Sequence, residues 1–136
     1  MTKIILTSPL YKKLGITEGI EIMVLNQPKK YTDFFSEFPS MVLIHESAKG
    51  QQFGFIHIFV SSNIELESLY KTAKENLKKN GVLWISWPKK ASKLSTELDK
   101  FKIMKYGLEN GLVDTKVASI DENWSGHKFV YRISDR

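Results

Sequence analysis

A chain of 136 residues, 42% hydrophobic and 26% charged, has the size and make-up of one compact domain, residues 1–136. That composition excludes long disorder, a coiled coil and a collagen-like repeat. The absence of cysteine excludes disulfides, thiolate metal sites and cysteine nucleophiles.

The formal charge of +5 rests on lysine, since only Arg132 and Arg136 are arginines. Base edges and paired phosphate oxygens are read best by the planar guanidinium fork, and no basic run exceeds two residues. A solubilising surface is therefore expected, and a nucleic-acid partner is not. Residues 1–9 hold too short an apolar run for a signal peptide. No stretch approaches the roughly 20 apolar residues that span a bilayer. These features predict a soluble cytoplasmic protein, bacterial in style, with no membrane partner.

In chain order, Ser8 as N-cap and Pro9 in the first turn predict a short helix with Leu10 and Leu14 on one face, closed by Gly15. Residues 20–25 predict a buried strand running into Asn26-Gln27-Pro28-Lys29-Lys30. Thr32 is placed to cap a short helix bearing Phe34, Phe35 and Phe38, stopped by Pro39. Residues 41–45 and 53–60 read as two more strands, the second apolar enough to be buried on both faces.

Ser62 and Glu65 form a capping box for a helix striped by Leu66, Leu69, Tyr70, Ala73 and Leu77. Lys78 and Lys79 fall in its predicted last turn and Asn80-Gly81 at its end. Residues 82–87 predict a buried strand ending at Pro88-Lys89-Lys90. Thr96 with Asp99 is expected to cap another helix, striped by Leu98, Phe101, Met104 and Leu108 and ended by Asn110-Gly111. Residues 113–121 and 127–133 predict a hairpin closed by residues 122–126, where Asn and Gly tolerate positive φ.

Strand–helix alternation followed by a hairpin predicts a three-layer α/β sandwich with a mostly parallel sheet. One segment conflicts with simple parallel order. Only residues 47–52 separate the second strand from the third, and six extended residues reach at most about 20 Å. These two strands are thus antiparallel, or one is much shorter than drawn.

Leu14-Gly15-Ile16 through Gly19, and Leu77-Lys78-Lys79-Asn80-Gly81-Val82-Leu83, resemble the approaches to the first and a central strand of class I S-adenosylmethionine-dependent methyltransferases. The terminal hairpin resembles that fold's antiparallel last strand. The resemblance implies a Rossmann-like, methyltransferase-like architecture. Trp84-Ile85-Ser86-Trp87-Pro88-Lys89-Lys90, Gly111-Leu112-Val113-Asp114-Thr115-Lys116-Val117 and Asp121-Glu122-Asn123-Trp124-Ser125-Gly126 also resemble, over nearly the whole chain, a family of small uncharacterised bacterial proteins known as a domain of unknown function. That family implies no activity.

Cofactor-binding methyltransferases place a Gly-rich, acidic loop after the first strand, where backbone meets the cofactor. Here Asn26 to Lys30 contain no Gly; Pro28 removes a donor, and Lys29 and Lys30 bring positive charge toward a sulfonium. The reading is a methyltransferase-like fold with the cofactor motif absent and no cofactor expected. Glu46, ending the second strand, corresponds to the acid that holds ribose hydroxyls if the cofactor is retained.

Ligands of open α/β sheets sit outside the carboxyl ends of strands. Lys29-Lys30 and Lys89-Lys90 both lie at such ends, the first pair before the helix expected at Thr32. Together they are candidates for a shallow anion pocket with Trp87 as a stacking wall; the plainer reading is solvated lysines beside a core tryptophan. Asp121, Glu122, Asn123 and Trp124 gather at one tip, either to touch a ligand or partner or as a capped turn with Trp124 folded onto the sheet.

His45, His57 and His127 lack metal-ligand spacing, and no metal is expected. His57, inside an apolar strand, is expected to be buried and hydrogen-bonded. Nucleophile-elbow, Walker A and dinucleotide motifs do not occur.

The leading expectation is a non-catalytic protein that binds an anionic or nucleotide-like ligand, or a protein partner, at the strand ends. The alternative is a diverged S-adenosylmethionine-dependent methyltransferase using Glu46 and the first-strand loop. A regulatory protein acting through dimerisation is a third.

Overall fold

Apolar runs separated by short polar turns assemble one mixed sheet. In the computed structural model, which describes residues 8–48 and 50–136, it comprises β1 (Glu21–Leu25), β2 (Leu43–His45), β3 (Phe53–Phe59), β4 (Leu77–Pro88), β5 (Leu112–Ser119) and β6 (Trp124–Tyr131). The order is β2-β1-β3-β4-β6-β5. Pairings from β2 through β4 are parallel, and β6 runs antiparallel to both β4 and β5. The expected mostly parallel sheet with a terminal hairpin is present, and strand order reverses between β1 and β3.

Helices cover both faces. Against α2 (Asn63–Glu75) and α3 (Lys100–Glu109) lie Met23, Leu25, Ile56, Ile58, Leu83 and Ile85. Against α1 (Leu10–Leu14) and a 3-10 helix (Tyr31–Phe34) lie Ile22, Val24, Phe55, Phe59 and Trp84. The alternation follows from the two-residue period of strands, and β3 is buried on both sides as its composition predicts. No helix among the described residues is long and apolar enough to cross a membrane.

The short link between β2 and β3 has a geometric resolution. Both pair with β1, on opposite sides, with His45 and Ile56 level with Met23. The chain therefore steps back about 10 Å and sideways by two strand spacings, about 14 Å in all. The seven residues 46–52 reach that far. It works because β2 ends at His45, only three residues past the level at which β3 begins; β2 itself has three residues, so the shortened-strand alternative holds and residues 41 and 42 lie outside the strand.

Four local expectations are corrected. Pro9 rather than Ser8 is the N-cap of α1, with no side-chain cap, although Gly15 closes it at φ 92° as expected. The aromatic segment forms one 3-10 turn with Lys30, not Thr32, at its N-cap. α2 ends at Asn76, and Leu77 opens β4 opposite Phe53. Lys78, Lys79 and Asn80 then loop out between the Phe53 and Phe55 registers, so Asn80-Gly81 marks a bulge rather than a helix end. Asp99 alone caps α3, accepting from the Lys102 N–H at 2.9 Å.

The predicted stripe of α3 also shifts. Ile103 and Gly107 face the sheet, while Phe101 is 67% exposed. Gly107 explains the rotation: a Cβ there would sit 2.2 Å from the Phe129 ring. Only glycine lets the helix approach so closely, and that contact fixes which side turns inward.

Candidate functional site

The carboxyl ends of β1, β3 and β4 meet the β5–β6 turn. After β1, Asn26 adopts φ 62°, a left-handed conformation that asparagine tolerates better than most residues. Its amide donates to the Phe59 carbonyl at 2.9 Å and to Glu65 Oε2 at 3.3 Å. Glu65 also accepts from Ser61 N–H at 2.7 Å, and its own N–H donates to Ser62 Oγ at 3.2 Å. The capping box of α2 thus anchors the loop after β1.

Beside it, Gln27 Nε2 donates to Glu46 Oε2 at 2.7 Å. Glu46, just past the end of β2, thus reaches the loop after β1. Lys29 crosses the strand ends the other way: its Nζ lies 3.5 Å from Asp121 Oδ2 and 4.6 Å from the Phe34 ring centre. Lys30 is exposed.

Asp121 Oδ1 accepts from the Asn123 and Trp124 N–H groups at 2.8 and 2.9 Å. It builds a turn over residues 120–123, tighter than the predicted one over 122–126. Trp124 folds onto the sheet, buried, with its ring edge-on to Phe59 at 5.3 Å. Lys89 N–H donates to the Asn123 carbonyl at 2.8 Å, and Lys89 Nζ to Ser119 Oγ at 2.6 Å.

The structure therefore brings Lys29, Lys89, Asp121 and Trp124 together. It does not bring Trp87, which is buried on the opposite face of the sheet with Leu98 and Ile103. A tryptophan three residues from Trp84 on one strand necessarily faces the other way, so Trp87 is no wall of a strand-end pocket. Lys90 lines, together with Lys89, a depression of about 430 Å³ that extends to Thr96, Glu97 and Asp99.

The histidines stay apart. His45 pairs with Glu21 at 2.9 Å, and the bond holds the Glu21 carboxyl below its usual range. His127 Nε2 lies 3.1 Å from Asp114, with Nδ1 buried and unpartnered. His57 is fully buried between Tyr31 Oη and Ser86 Oγ, each at 2.7 Å. Among the described residues no group of three or more His, Asp or Glu is placed to hold a metal ion.

Two features escaped the sequence: the Tyr31–His57–Ser86 chain, whose members come from three distant elements, and the left-handed Asn26. For Asn26 a signal existed, since asparagine is among the few residues that stand in for glycine there.

No model of a known protein family and no curated protein matches the sequence. Solved structures do match. The glycopeptide N-methyltransferase MtfA complexed with sinefungin gives a TM-score of 0.59 at 8% identity, over 90% of this chain and 91% of that one. A SAM-dependent methyltransferase from Aquifex aeolicus gives 0.57 at 11%, over 88% and 86%.

The chain has a methyltransferase-like Rossmann fold. A Methanococcus jannaschii fibrillarin pre-rRNA processing protein is also similar, with a TM-score of 0.56 at 13% identity over 85% of this chain and 67% of that one. At these identities the likeness is one of fold.

Proposed function

We propose that this protein is a non-catalytic member of the methyltransferase fold that binds an anionic, nucleotide-like ligand across its strand ends. One observation carries the reading: Lys29, in the loop after β1, is held over Phe34 and against Asp121 at the strand ends, where an arriving phosphate can compete with Asp121 for its ammonium. Gln27 and Glu46 offer a donor and acceptor for ligand hydroxyls at the neighbouring strand end.

Two of the three segments that resemble the small bacterial family, Trp84 to Lys90 and Asp121 to Gly126, are joined here by the Lys89–Asn123 hydrogen bond. We read them as the shared feature of such a family.

A diverged methyltransferase is the second reading. It is favoured by Asn26, whose φ of 62° supplies the backbone shape of a glycine, and by Glu46 beside the same loop. Both readings meet one experiment: thermal shift with AMP, ATP, phosphate, S-adenosylmethionine and S-adenosylhomocysteine. A ligand at 100 times its dissociation constant adds about 2.7 kcal/mol. A phosphate-dependent shift lost in Lys29→Ala supports the first reading. A shift with the two sulfur nucleosides alone, lost in Glu46→Ala, supports the second. Silence across the panel overturns both and points to a protein partner.

A further inference from the structure

α3 carries more apolar surface than the core uses. Its inner side holds Ile103 and Gly107 against the sheet, and Tyr106 turns toward α2, its ring 5.1 Å from Tyr70. On the opposite flank, Phe101, Met104 and Leu108 recur at helical spacing; Phe101 is 67% and Leu108 37% exposed. Because Tyr106 marks the side facing α2, this flank looks past β5, the last strand in the sheet order.

β5 continues the patch. Val117 pairs with His127, and Asp114 with Phe129. Paired residues share a face, so Val117 lies on the α3 side, where it is 48% exposed. α3 returns through the Asn110-Gly111 turn into β5 and packs against it; at about 1.5 Å per helical and 3.3 Å per strand residue, Val117 falls roughly level with Phe101. Lys100 and Lys105 border the stripe on either side, and the Lys100 ammonium sits 5.3 Å from the Phe101 ring centre. The nearby acids are engaged: Asp99 caps the helix and Asp114 holds His127.

We propose that Phe101, Met104, Leu108 and Val117 form a docking surface for an acidic, amphipathic segment of a partner protein. Apolar residues one helical turn apart on α3, continued by Val117, offer contact along the apolar side of a second, amphipathic helix, and the bordering lysines ask for carboxylates. A second copy fits poorly, because face-to-face stripes would set Lys100 and Lys105 against their own kind. This surface is separate from the strand ends and does not depend on the reading given to them.

The test uses the full chain and a fluorescein-labelled helical peptide with leucines one turn apart and glutamates elsewhere. Its control replaces every glutamate with lysine. Saturable anisotropy is expected with the acidic peptide and none with the basic one. Phe101→Ser and Lys105→Glu each should weaken binding at least tenfold while circular dichroism stays unchanged, since both side chains are exposed. Equal binding by the variants, no binding, self-association on sedimentation, or binding only to phosphatidylserine vesicles would overturn it.

Discussion

The Tyr31 hydroxyl meets His57 Nδ1 at 2.7 Å in the interior, and His57 Nε2 lies the same distance from Ser86 Oγ. In a neutral imidazole one nitrogen donates and the other accepts, so two hydroxyls satisfy both. Phe59 stacks on the ring at 4.4 Å, and His57 is fully buried. Removing the Tyr31 hydroxyl strands Nδ1 in an apolar shell. Tyr31→Phe should therefore cost about 1–3 kcal/mol in urea unfolding. A loss below about 0.5 kcal/mol would mean the ring nitrogen finds another partner.

Burial pushes His57 down to about 3 from its ordinary 6.5. Between those values the unfolded chain binds a proton that the folded chain refuses, so stability rises with pH across this window. The contribution is complete above pH 6.5 and is lost as pH falls toward 3. His127, lowered chiefly by burial against the opposing pull of Asp114, acts in the same direction. From pH 7 to pH 5 the His57 contribution falls by about 2 kcal/mol. Urea midpoints across that range should drop in the parent and drop much less in His57→Gln; parallel curves would show that His57 is not the titrating group.

Much of this architecture is legible because each strand is long or apolar enough to declare its period. Residues 20–25, 53–60 and 82–87 become the three buried parallel strands, and Ser62–Glu65 caps its helix as the sequence implies. What was not legible is tertiary. Leu77 fits a helical stripe as well as a strand, and the neighbouring Phe53 decides for the strand. The link from β2 to β3 makes sense only once β1 is seen to lie between them.

Gly107 is where propensity and packing conflict. Alanine is favoured over glycine in helices by about 1 kcal/mol, but the new Cβ would overlap the Phe129 ring at 2.2 Å. Overpacking of that kind costs typically 1–3 kcal/mol, and here the obstacle is a buried ring in mid-sheet. Gly107→Ala should destabilise, and pairing it with Phe129→Leu should recover part of the loss. A stabilised single variant would mean that α3 can slide outward without penalty.

The candidate site was half legible. Lys29, Lys89, Asp121 and Trp124 converge because sequence patterns placed each at a strand end or turn, where an open sheet collects loops. Trp87 went astray through parity: it ends a strand, but its side chain belongs to the α2–α3 face. The links between the pieces, Gln27 to Glu46 and Lys29 to Asp121, depend on rotamers and spacing across strands that no local pattern encodes.

Asn26 separates two demands on the loop after β1: a left-handed backbone and a side chain that ties β1 to β3 and α2. Asn26→Gly keeps the first and loses the second; Asn26→Ala loses both. A left-handed conformation costs an L-residue with a Cβ roughly 1–2 kcal/mol, and the lost hydrogen bonds add about 1 kcal/mol. Alanine should therefore destabilise more than glycine by at least about 1 kcal/mol in urea unfolding. Equal losses would place the constraint in the hydrogen bonds alone, and Asn26 would then not be standing in for a glycine.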